Sequence, residues 1–147
     1  MAFSTNKRTF LNFASPAPLL KTYCILVAIE LALKDAAVPA GRGGHDVPTM
    51  LDNVADSISG APSISGALKS ISLQLRRDLA SITCQEKGGA VGNVPPYSYP
   101  YIRYSRHSGD WGGVNETSPA LISGLEVTCN NLLGLLTTHG STIGVHL

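Results

Sequence analysis

Apolar residues recur at intervals of three or four through several stretches of this chain. Between about Leu19 and Ala36 they fall at Leu20, Tyr23, Val27 and Leu31, with Leu26, Ile29 and Leu33 widening the stripe. So broad a face predicts a central helix covered by neighbours on most sides. Ser15 with Pro16 or Pro18 supplies its start, since proline lacks only a donor that the first turn leaves unused. The stretch "VPAGRGGHD" breaks the pattern with proline and glycine. Asp46 then reads as the N-cap of a short second helix, "VPTMLDNVADSI", with Pro48 in its first turn. Gly60 and Pro62 separate it from a third helix, roughly Ser63 to Gln85. There Ile64, Leu68, Ile71, Leu75, Leu79 and Ile82 follow one another in steps of four or three, and Arg76, Arg77 and Asp78 take the other side.

A long spacer follows, "GGAVGNVPPYSYPYIRYSRHSGDWGGVNE", rich in glycine and proline with four tyrosines. Spacers of this length in a compact domain are usually functional or disordered. Thr117 or Ser118 before Pro119 opens the last helix, whose stripe is Leu121/Ile122, Leu125, Cys129, Leu132/Leu133 and Leu136. Gly140 ends it, and "STIGVHL" has no strong preference. Strand signals are nearly absent. The pattern predicts an all-α fold, an antiparallel helical bundle of three long helices and one short helix, with a long ordered loop before the last helix. Residues 1–147 form a single domain in this reading, with 1–15 as an N-terminal arm, 16–140 as the bundle and 141–147 as a tail. Val27, Leu31, Leu68, Leu75, Leu125 and Leu132 are its expected core.

Composition narrows the function classes. With 147 residues the chain can build a core without disulfides or metals. Only 14% of residues are charged and the net charge is +1, so no global field steers it to nucleic acid or acidic lipid. Any polyanion site is a local patch, and weak repulsion between copies favours self-association. Cys24, Cys84 and Cys129 are far apart and show no metal-ligand spacing, which reads as free thiols in a reducing compartment. "YCILVAIELAL" is too short to span a bilayer, and it begins too late for a signal peptide. The expectation is a soluble, cytoplasmic protein without membrane, metal or cofactor. No Gly-rich phosphate loop, H-E-x-x-H or G-x-S-x-G occurs.

Polar chemistry concentrates in "PYIRYSRHSGDWGG", Pro100 to Gly113. Arg103 and Arg106 offer planar forks for phosphate or carboxylate, and His107 is placed to move a proton in phosphodiester cleavage. Tyr97, Tyr99, Tyr101 and Tyr104 are suited to stacking on bases. The other reading is a latch: Tyr101, Ile102 and Trp111 fill an apolar groove while Arg103 pairs with Asp110 or Glu116. Composition leaves both open. His45–Asp46 reads as a capped helix start, and His139 and His146 as part of a fraying C-terminus. Glu30 lies amid Leu26, Val27, Leu31 and Leu33, so burial would require a cationic partner, drawn from Arg103, Arg106 or Lys34.

The first half of the chain, "LLKTYCILVAIELALKD", a glycine-containing loop and "GHDVPTMLDNVA", resembles the HEPN domain of prokaryotes, a nucleotide-binding superfamily. The matching segment is Gly44-His45-Asp46-Val47 with Met50 and Leu51, and the resemblance covers about residues 19 to 85 plus the final helix. It implies an antiparallel helical bundle, frequent homodimerisation, and association with RNA or nucleotide biology and cell defence. Nuclease members carry an arginine and a more widely spaced histidine near the start of the last helix. Here only three residues separate Arg103 from His107, and both precede Ser118. The resemblance therefore implies first a binding or accessory module of a prokaryotic or phage stress-response or defence system, with a partner protein, nucleotide or RNA as ligand. A metal-independent, toxin-like RNase using His107 and Arg103 across a dimer is the second reading, and a purely structural interaction protein the third.

Overall fold

Proline and aspartate set the helix starts in the structure, a computed structural model described here for residues 18–36, 46–81, 83–85, 91–93 and 119–147. Helix α1 runs Pro18–Lys34, α2 Val47–Ser57, α3 Pro62–Ser81, α4 Pro119–Thr138 and α5 Gly140–Ile143. Two three-residue strands, β1 (Thr83–Gln85) and β2 (Val91–Asn93), pair antiparallel with Cys84 opposite Gly92. The described residues are predominantly helical, an all-α chain with one small hairpin. That hairpin corrects the expected third helix, which stops at Ser81 instead of Gln85. Thr83, the first residue of β1, is β-branched, a preference that favours extended chain there.

Asp46 caps α2 as its sequence predicts. Its Oδ1 accepts from the Thr49 backbone N–H at 3.2 Å, and the Thr49 hydroxyl donates to Oδ2 at 2.7 Å. One otherwise orphaned donor is thereby satisfied at the helix start, and Pro48 in the first turn lacks a second.

Helix α1 touches both α2 and α4 and is buried through most of its described length. Leu26, Ile29 and Leu33 are among the largest wholly buried side chains, together with Leu51 of α2, Leu68 and Leu75 of α3, and Leu125, Leu132 and Leu136 of α4. Leu31 departs from its expected place and is only half-buried. Its position turns from the axis through Leu26, Ile29 and Leu33 toward the same side as Lys34 and Asp35.

Helix α3 also corrects its expected seam. The buried line is Ser65, Leu68, Ser72, Leu75 and Leu79, while Ile64 and Ile71 stay half-buried. The serines explain the rotation. Ser65 Oγ donates to the Ala55 carbonyl at 2.8 Å and Ser72 Oγ to the Pro48 carbonyl at 2.9 Å. A small side chain lets α3 sit close to α2, and its hydroxyl is satisfied by the very backbone it approaches. Contacts between α2 and α3 are the most extensive of any pair of elements.

The C-terminal residues are not a fraying tail. Gly140–Ile143 is helical, and Ile143 and Val145 are fully buried. Gly144 adopts the left-handed conformation at φ 76°, so its N–H reaches the Gly140 carbonyl at 2.7 Å and the Val145 N–H follows at 3.2 Å. A Cβ on Gly140 would lie 2.7 Å from the Val145 carbonyl oxygen, so only glycine admits that return of the chain.

Leu75 is wholly buried whereas Leu73 is 50% exposed two residues away. Leu75→Ala is expected to destabilise the fold by about 2–5 kcal/mol in urea unfolding, and Leu73→Ala by less than about 1 kcal/mol. Equal losses would show that the buried face of α3 is wrongly assigned.

Candidate functional site

The residues that the sequence marks as a site, Tyr101, Arg103, Tyr104, Arg106, His107, Asp110 and Trp111, lie outside the described residues. Ile102, Tyr97, Tyr99 and Glu116 lie outside them as well, as does His45. The polar groups that the structure does describe are held between helices.

Glu30 is buried to 3% exposure in the middle of the apolar helix α1. Lys34, one turn later, donates from Nζ to its Oε1 at 2.7 Å. A carboxylate removed from water needs such a charge-assisted bond, and the Glu-then-Lys order suits a helix. Of the three cations expected from the sequence, Lys34 is the one this contact supplies; Arg103 and Arg106 lie outside the described residues.

Arg76 does not point away from the helices. Its guanidinium reaches across to α2, donating to Asp52 Oδ2 at 2.8 Å and to the Thr49 hydroxyl at 3.3 Å, with Asp46 Oδ1 at 3.7 Å. The group thus ties the capped start of α2 to the second half of α3. Asp78 turns the other way, toward α4. It accepts from the Thr128 hydroxyl at 2.5 Å and from Gln74 Nε2 at 2.8 Å. Lys21 of α1 pairs with Glu126 of α4 at 2.7 Å. Each of these contacts fixes one helix against another or one turn against the next, which is a structural chemistry.

Cys24 and Cys129 are free, buried thiols. Burial raises both, and for Cys129 the carboxylates of Asp78 and Glu126 add to it, pushing the thiol up to about 12. A thiol held protonated is not a nucleophile at neutral pH. Among the described residues, no group of three His, Cys, Asp or Glu side chains is disposed to hold a metal ion.

What remains is a surface. The inner face of α4 is Ile122, Leu125, Cys129, Leu132 and Leu136, all buried. Its opposite face carries Ala120, Gly124, Val127, Asn131, Gly134 and Thr138, all exposed, with Val127 at 58%. Glu126 is the helix's one charged residue and it lies to the side, paired with Lys21. Over Ala120–Thr138 this is the one helix among the described residues long and apolar enough to cross a membrane by length and composition, a property that core helices share, and a third of it is buried. Sequence reasoning missed this face because it followed the leucines. The signal was present on the other side of the same helix, in residues spaced four, three, four, three and four apart without a charge.

No protein-family model matches the chain, and no curated protein or solved structure shows significant similarity to it.

The Cys129 thiol gives a pH test with a definite sign. Its folded value stands above the ordinary 9.0, so the folded chain keeps a proton that the unfolded chain releases. The associated stability is complete below pH 9 and is lost as pH rises toward 12, by about 1.4 kcal/mol per pH unit over that window. Urea unfolding of wild type and Cys129→Ala at pH 8 and pH 10.5 is expected to show the wild-type advantage shrinking by about 1–2 kcal/mol. An advantage independent of pH would show that the thiol is not held protonated.

Proposed function

We propose that the chain is a HEPN-like helical binding module, an antiparallel bundle that acts as a homodimer or with a partner subunit and takes RNA or a nucleotide at its arginine-containing loop. The observation that carries the binding-module reading is the uncharged outward face of α4, since an exposed helix face without charge is the kind of surface that partners cover. The HEPN-like assignment draws support from the segment that suggested it. Asp46 caps α2, and Met50 and Leu51 are buried beneath that cap. A setting in prokaryotic or phage stress response or defence, including a toxin–antitoxin pair, follows from the resemblance alone.

On this reading Arg103, Arg106 and His107 form an anion-binding edge, and Tyr101, Tyr104 and Trp111 supply stacking or anchoring surface beside it, with Asp110 orienting an arginine. The test uses a fluorescent single-stranded RNA oligonucleotide without added metal. Wild type is expected to capture it without cleavage, and Arg103→Ala to weaken capture about tenfold, since a charge-assisted fork contributes roughly 1.5–3 kcal/mol. Cleavage abolished in His107→Ala would replace this reading with the metal-independent RNase. Capture by neither wild type nor variants would leave a structural interaction protein.

A further inference from the structure

We draw no further inference here: the strongest candidate, the uncharged outward face of α4 around Gly124, Val127, Asn131 and Gly134, belongs to the surface already described, and nothing in the structure shows what covers it.

Discussion

The rest of the structure depends on having to hide helix α1. From Cys24 to Leu33 nearly every described residue is buried, so no single neighbouring helix is enough to cover it. Helices α2 and α4 both lie against it, and α3 in turn contacts both of these. Burial of apolar area is the dominant stabilising term, about 25 cal/mol per Å², and among the described helices α1 contributes the most buried apolar residues. Glu30 is accommodated in that helix with Lys34, a turn away, bringing its own charge to it. Other charged groups serve alignment instead, with Arg76 of α3 reaching α2 and Lys21 of α1 reaching α4.

Helices were the legible part. Proline and aspartate punctuation located their starts closely, because a missing donor and a side-chain acceptor act locally and need no knowledge of the fold. The side chosen by α3 was less legible. Ile64 and Ile71 outweigh Ser65 and Ser72 on any hydropathy pattern, yet the serines take the interior, since carbonyls of α2 wait there for a hydroxyl donor. That preference belongs to a pair of helices, and neither sequence segment states it alone. The C-terminus was misread for a related reason. Seven residues with a glycine in their midst look like a loose end, but Gly144 provides a left-handed turn that carries Val145 back into the core.

The polar cluster that stands out in the sequence and the face that the structure presents belong to different stretches of the chain. Clustering of arginine, histidine and aromatic residues is visible in a linear string, whereas an outward helix face is defined by what lies on its far side. Leu125, Cys129 and Leu132 had to be fixed inward before Val127 and Asn131 acquired a direction. A low charge content adds to this difficulty. In most chains charged residues mark the solvent side of a helix, and α4 offers only Glu126 for that purpose.

The two serine bonds between α3 and α2 have a mechanical meaning. Ser65 and Ser72 are seven residues apart, so their hydroxyls grip α2 at points about 10 Å apart along the helix. One such grip would be a pivot; two prevent rotation and also prevent sliding, because a shift of a single residue breaks both together. Helices α2 and α3 are therefore fixed in register as a pair. Arg76 binds the capped end of α2 a further turn along, which lengthens the clamp. The capped start of α2 and the second half of α3 are thereby held side by side at one end of the pair.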